Sequence, residues 1–363
     1  MKSDLCHSPD FLVDALGLDS LRSLAIIGMG KNAGKTTVLN HLLSAVRQMK
    51  RKRVVAVTSI GLDGEDEDIV TGGAKPRIYL TEGALLATAC GSLDKCDAVI
   101  EILVLTGIHT ATGEIAFGRM RTNGYVELAG PSIARDVATC ERYCREIEED
   151  CLFIVDGALS RKSPAGGGLT ESVILVAGAA NAPSLEELAI ETARQVLFLT
   201  LPSVEEKENK IFSEVMEKFP GHRAIFLSQC DTTGKTIRAR SLPLASVIGE
   251  GKTIADEFRK DDTALLLRGA ITDNVLEYLL SDSAFVDMTL VAEDGTRFFL
   301  SDKAVRQLRQ RSVELAVLSD LSLPLICVNP MRRDGTTVER EDILEAIISV
   351  VDVPVCELGP SFV

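Results

Sequence analysis

A lysine and two threonines follow a glycine at residues 34–37, at the end of the run Gly28-Met-Gly-Lys-Asn-Ala-Gly-Lys-Thr-Thr37. Residues of these types at this spacing bind phosphate. Successive backbone N–H groups of a glycine-bearing loop converge on an anion, and a helix starting behind the loop adds the positive end of its dipole. Lys35 would reach the β- and γ-phosphates of a nucleotide, and the Thr36 hydroxyl would bind Mg²⁺. Gly30, Lys31, Asn32, Ala33, Gly34 and Thr37 would complete the cradle. The spacing departs from the strict G-x-x-x-x-G-K-[ST] pattern, because the position of its first glycine is Met29, with Gly28 and Gly30 on either side. A loop that keeps the shape and has lost turnover is the alternative. Asn32 suits a loop because asparagine tolerates left-handed backbone. Lys31 either touches the γ-phosphate or a neighbouring subunit's nucleotide, or is an exposed loop side chain.

A nucleotide with Mg²⁺ needs carboxylates near the loop. Cys151-Leu-Phe-Ile-Val-Asp-Gly157 reads as a buried strand ending in Asp156, which could hold the metal through water, and Gly157 would let the backbone approach the γ-phosphate. The alternative for Asp156 is a strand-end cap. Asp63 follows another apolar run, residues 53–60, and would orient the attacking water or bind Mg²⁺. The alternative is membership of the solvated acidic run 65–68. Arg161 and Lys162, past Asp156, could read an anion or lie on a surface loop. Asn329-Pro330 follows the apolar run 325–328, where a side-chain amide could read the edge of adenine or start a turn. There is no Asn-Lys-x-Asp signature, which favours ATP over GTP.

These residues need elements to position them. Residues 24–28 read as a strand and 35–49 as a helix, so the loop joins a strand to a helix. Helix 132–149 precedes the Asp156 strand. Strands near 172–177, 196–200 and 223–228 alternate with helices near 184–194 and 203–218, the pattern of a parallel α/β sheet. Short runs over 75–130 read as antiparallel strands, an insertion beside the main sheet. Residues 288–300 read as a hairpin turning at Glu293-Asp-Gly295, followed by a helix at 301–312, strands at 314–318 and 323–328, a helix at 339–350 and a strand at 354–357. The expected organisation is a lead-in over 1–22, a nucleotide-binding core over 23–240, and a smaller C-terminal α/β unit over 241–363.

Composition excludes other classes. The chain of 363 residues carries a formal charge of −14, which leaves no broad basic face for nucleic acid. It has no tryptophan and only 4% aromatic residues, so the core must be aliphatic, as in helix-covered parallel sheets. No apolar run is long enough for a membrane span, and the first residues lack a signal-peptide pattern. The nine cysteines include no C-x-x-C and read as reduced thiols of a cytoplasmic protein, with Cys140 and Cys144 sharing one buried helix face. The four histidines make no ligand spacing.

Gly30-Lys-Asn-Ala-Gly-Lys-Thr-Thr37 is similar to the loop of the dimer-forming P-loop class that includes partitioning ATPases, nitrogenase iron proteins, dethiobiotin synthases and the molybdopterin-guanine dinucleotide accessory GTPase. Partitioning ATPases carry lysine where this chain has Gly30, so the resemblance does not extend their intersubunit lysine role to Lys31. Residues 27–40, Thr58-Ser-Ile-Gly-Leu-Asp-Gly-Glu65, Lys75-Pro-Arg-Ile78 and Val155-Asp-Gly-Ala158 together resemble the ATPase subunits of lysine 5,6-aminomutase reactivases. That resemblance implies an ATP-driven factor which restores a cobalamin-dependent aminomutase together with a second reactivase subunit, and the wider class makes a homodimer possible.

The expectation is therefore a Mg²⁺-dependent ATPase of α/β P-loop fold, with Lys35, Asp63 and Asp156 in the catalytic roles. Hydrolysis would be coupled to a conformational change acting on a protein partner. Two other uses of the same loop are an ATP-dependent small-molecule ligase or kinase and a non-hydrolysing nucleotide sensor.

Overall fold

The computed structural model describes residues 9–60, 77–158, 170–229 and 237–359. The chain forms two units. The first comprises Met1–Ala165, Leu169–Val196 and Ser322–Val363, and the second Gly166–Gly168 and Leu197–Leu321.

The first unit is an α/β layer structure. In chain order it holds α1 (Pro9–Leu16), β1 (Ser23–Gly28), α2 (Lys35–Gln48), β2 (Val55–Ser59), β3 (Ile78–Leu80), β4 (Leu85–Ala89), α3 (Cys90–Leu93), β5 (Ile100–Thr110), β6 (Gly113–Met120), β7 (Gly124–Val126), α4 (Ala134–Ile147), β8 (Leu152–Ala158), β9 (Ser172–Gly178) and α5 (Leu185–Leu199), within whose last turn the division falls. Among the described residues nine strands make one sheet in the order β18-β17-β9-β1-β8-β2-β4-β6-β5, where β17 is Ser322–Asn329 and β18 is Val355–Glu357, with α10 (Arg340–Ile348) between them. Pairing is parallel from β18 to β4 and antiparallel from β4 through β6 to β5. β1, β2 and β9 are buried along their whole length, which explains their continuous apolar sequences.

One face of this sheet is covered by α1 and α2. Leu24, Ile26, Val57, Ile154 and Ile174 pack there with Leu12, Val38, Leu39, Leu42 and Val46. The buried positions of α2 recur at three and four residues, so one stripe of the helix faces the sheet. On β6, Phe117 meets Tyr143 of α4 with ring centroids 6.4 Å apart.

The second unit has its own aliphatic core. It comprises α6 (Glu206–Lys218), β10 (His222–Gln229), β11 (Ile237–Pro243), α7 (Gly251–Glu257), β12 (Asp262–Leu267), β13 (Ile271–Thr272), α8 (Asp273–Ser281), β14 (Thr289–Ala292), β15 (Phe298–Phe299), α9 (Asp302–Gln310) and β16 (Glu314–Val317). Its sheet runs β11-β10-β12-β14-β16, antiparallel at β10 and parallel from β12 to β16.

Several expectations are corrected. The boundary near residue 240 falls inside β11, and the C-terminal stretch from β17 onward completes the first sheet by pairing with β9. The second unit is thus an insertion between β9 and β17 rather than a C-terminal addition. Strands from 75–130 do not stand beside the main sheet: β4 pairs in parallel with β2, and β6 and β5 extend that edge. Of the described strands in this stretch, β3 and β7 form a separate ladder. Residues 196–199 finish α5 instead of starting a strand, because buried Leu188, Thr192, Gln195 and Leu199 are spaced by three and four. The expected hairpin at 288–300 is absent. β14 runs parallel to its neighbours, and Asp294 caps a short turn by accepting from Thr296 N–H over 2.8 Å. The lead-in packs α1 into the first core through Leu12 and Leu16.

Candidate functional site

β1, in the interior of the sheet, ends at Gly28, and α2 begins at Lys35. Met29 keeps the strand's line, its N–H donating to Val176 O over 2.9 Å, while the Thr192 hydroxyl reaches its sulfur at 3.3 Å. The turn therefore begins at Gly30, one residue later than the strict spacing places it. The reversal needs two left-handed residues, Asn32 at φ 61° and Gly34 at φ 105°. Asparagine and glycine are the residues that adopt this region at least cost. Gly34 is the N-cap of α2, and Val38 N–H returns to its carbonyl at 3.1 Å.

Lys35 is only 9% exposed. Its side chain lies back across the strand end, because a Cβ built on Gly28 would stand 2.9 Å from Lys35 Cγ and 3.2 Å from Ala33 Cβ. Thr36 and Thr37 are half-buried on the first turn of α2, and Lys31 is exposed.

Asp156 is in β8, between β1 and β2. The register sets it opposite Ile26 on one side and Ser59 on the other. Ile26 and Ile154 point toward α2, and side chains alternate along a strand, so the Asp156 carboxylate is on the α2 face. It lies two residues before the strand end, not at the last residue, and is half-buried. Its carbonyl accepts Ile60 N–H over 2.8 Å, which fixes where the chain leaves β2. Gly157 serves a packing role here: an added Cβ would meet Ile60 Cδ1 at 2.9 Å. Asp63, Arg161 and Lys162 lie outside the described residues.

Three features of the site have no counterpart in the motif. Gly178, at the end of β9, comes so close to the loop that a Cβ there would be 2.9 Å from Ala33 Cα. Asn181 donates through Nδ2 to Lys31 O over 2.9 Å and accepts from Gly178 N–H at 3.2 Å. Asn329, at the end of β17, reaches Asn32 O through Nδ2 at 3.5 Å and accepts Met331 N–H over 3.1 Å. The amide of Asn329 thus forms the turn and braces the loop as well. A glycine after an apolar run, as at 178, is the sequence signal that could have drawn attention to this edge.

Asn40, buried on α2, holds the returning chain by donating to Arg77 O at 2.9 Å and accepting Tyr79 N–H at 3.1 Å.

Among the described residues no group of three histidine, cysteine, aspartate or glutamate side chains could hold a metal ion. Cys144 and Cys151 are joined in a disulfide, which corrects the expectation of reduced thiols for these two, while Cys90, Cys96, Cys140, Cys327 and Cys356 are thiols outside any disulfide. The turn after α4 brings them together, through Glu148 N–H to Cys144 O and Cys151 N–H to Glu148 O. Cys140 remains a buried thiol, and burial pushes its pKa up to about 12. No helix among the described residues is long and apolar enough to cross a membrane.

At one edge of a parallel sheet the chain thus gathers a tight loop, a helix N-terminus, a buried lysine, a threonine hydroxyl and a carboxylate. In general the first three stabilise a bound anion, and oxygen donors suit a hard divalent cation. Set beside protein-family models, curated proteins and solved structures, the chain finds no match in any of the three.

Proposed function

We propose that the chain is a P-loop ATPase that hydrolyses ATP with Mg²⁺. The observation that carries this reading is Lys35 lying across Gly28 at the end of β1, behind a loop turned by Asn32 and Gly34. In that pose the strand end fixes the middle of the side chain, and the ammonium would serve phosphate oxygens lodged in the loop. The N–H groups at the start of α2 face the same anion.

Mg²⁺ fits the oxygen donors Thr36 and Asp156, since among the described residues no cluster of three ligating side chains makes an all-protein cage, and Mg²⁺ is usually held by one or two such donors beside phosphates. Thr36 and Asp156 would hold it, Asp156 through water, and when bound it supplies charge neutralisation to the phosphates. Lys35 then stabilises the charge that builds on the transferred group, the largest contribution a positioned cation makes. Asp63 is proposed to orient the attacking water.

Coupling of turnover to a protein partner is part of the proposal. It is supported by the insertion of a second unit with its own core into the chain between Asn181 and Asn329, the two residues whose amides brace the loop. The resemblance of residues 27–40, 58–65, 75–78 and 155–158 to reactivase ATPases makes a cobalamin-dependent aminomutase the proposed client, with a second reactivase subunit. ATP turnover is measured for the wild type and Lys35→Ala. Loss of phosphate release in the variant, with ATP-driven recovery of an inactivated aminomutase by the wild type, is expected. Equal turnover in the two proteins sinks the loop assignment. Turnover that needs a small acid and no protein partner supports a ligase or kinase instead.

A further inference from the structure

The loop is braced from outside by a side chain that no phosphate-loop motif contains. Asn181 Nδ2 donates to Lys31 O over 2.9 Å, and its Oδ1 accepts Gly178 N–H at 3.2 Å. The short turn that carries it, Ala179–Asn181, is pinned a second time, because Arg333 Nε donates to Ala180 O over 2.7 Å. Asn181 also fills the space beside Gly30: a Cβ at residue 30 would stand 2.6 Å from Asn181 Nδ2.

A trans peptide places its C=O and N–H on opposite sides. Holding the Lys31 carbonyl toward Asn181 therefore turns the Asn32 N–H the other way. Asn32 is left-handed and flanked by ordinary residues, the backbone sequence that makes a concave set of N–H groups for an anion. We propose that Asn181 is a positioning residue that sets the Lys31–Asn32 peptide before ligand arrives, so that the loop binds phosphate without first having to order. Gly30 is a glycine because Asn181 occupies its side-chain space. Donor chemistry rather than shape is what matters at 181. An aspartate of the same outline would keep the bond to Gly178 N–H and set a negative oxygen against Lys31 O.

This inference rests on the ATPase reading, so two measurements separate them. The first is binding of the fluorescent analogue mant-ATP to wild type, Asn181→Asp, Asn181→Ala, Gly30→Ala and the Gly30→Ala/Asn181→Ala double variant. The second is hydrogen exchange of the residue 29–34 amides without nucleotide. Loss of one hydrogen bond at a preorganised site predicts a fall in affinity of about tenfold for Asn181→Ala and a larger fall for Asn181→Asp. Exchange should rise in the loop while the melting temperature hardly changes. Gly30→Ala should behave like Asn181→Ala, and the double variant should be no worse than either single one, because both act on one contact. Wild-type affinity together with wild-type loop exchange in Asn181→Asp overturns the inference, as does strict additivity in the double variant. Faster loop exchange in Asn181→Asp, when even the wild type binds no mant-ATP, upholds the brace and overturns the nucleotide reading.

Discussion

The Lys35 side chain occupies the space that a side chain at Gly28 would need: a Cβ added to Gly28 would sit 2.9 Å from Lys35 Cγ and 3.0 Å from its Cδ. The same added Cβ would also stand 3.2 Å from Ala33 Cβ, so the lysine side chain would have to give way. Gly28→Ala should shift the ammonium without disturbing β1. On the ATPase reading kcat falls by about a hundredfold, the cost of moving a catalytic group by roughly 1 Å. The melting temperature stays near that of the wild type. Steady-state phosphate release with a thermal melt checks this, and an unchanged kcat would show that Lys35 does not serve the reaction from this pose.

Asp156→Asn keeps the shape of the side chain and removes its charge. With Thr36 left in place, the variant should need far more Mg²⁺ for half-maximal turnover while still binding nucleotide. A Mg²⁺ titration of phosphate release is the measurement. The same Mg²⁺ dependence in both proteins takes Asp156 out of the metal site.

The second unit holds a buried ion pair. Arg240 donates to both oxygens of Asp262 at 2.8 and 2.7 Å, Ser228 and the Arg259 N–H add bonds at 2.7 and 2.8 Å, and the Asp262 side chain is 0% exposed. Arg240→Met leaves the carboxylate buried without its cation and should cost about 3–5 kcal/mol in urea unfolding. Replacing Asp262 and Arg240 together by apolar residues should cost less than Arg240→Met alone, which chemical denaturation of the three proteins will decide.

Burial raises the pKa of Asp294 above its ordinary 3.8, against the opposing effects of Arg297 and the Thr296 hydrogen bonds. A raised folded pKa means that the folded chain holds this proton more tightly than the unfolded one. The associated stability is complete below the ordinary value and is lost as pH rises through the folded value. Asp294→Asn should flatten the fall in unfolding free energy over that window. Identical pH profiles for the two proteins would show that the carboxyl is not desolvated.

The Cys144–Cys151 disulfide closes a short loop between α4 and β8. Chain-entropy arguments give such a closure about 2–3 kcal/mol. Cys151→Ser should lower the unfolding free energy by that amount, and alkylation without reductant followed by peptide mass analysis should leave 144 and 151 unmodified in the wild type. Labelling of both cysteines under those conditions rules the bridge out.

Local features were legible in the sequence where one short stretch carries its own signal. β1 and α2 come within a residue of their expected ends, because an apolar run, a glycine loop and a helical stripe follow one another directly. Asp156 was legible for the same reason, its strand being apolar on both faces. Asn181 was not, because it lies 150 residues from the carbonyl it holds, and spacing along the chain says nothing of such a contact. The place of β17 was hidden too: its apolar run would suit either sheet, and only its ladder with β9 decides between them. The parallel pairing of β4 with β2 was hidden as well, because its five residues, Leu85–Ala89, hold no alternation; it is buried on both faces between β2 and β6.

The order of strands also bears on how the chain is made. β1 precedes its two neighbours in the sheet, β8 and β9, by more than a hundred residues. At ordinary rates of translation the interval between Gly28 and Ala158 leaving the ribosome is on the order of ten seconds. Through that time Leu24, Ala25, Ile26 and Ile27 have no strand beside them, and these are residues that end fully buried. A nascent chain of this topology carries a strand destined for full burial without its neighbours until Ala158 has been made, so its yield in a cell should depend on chaperones that hold extended apolar segments.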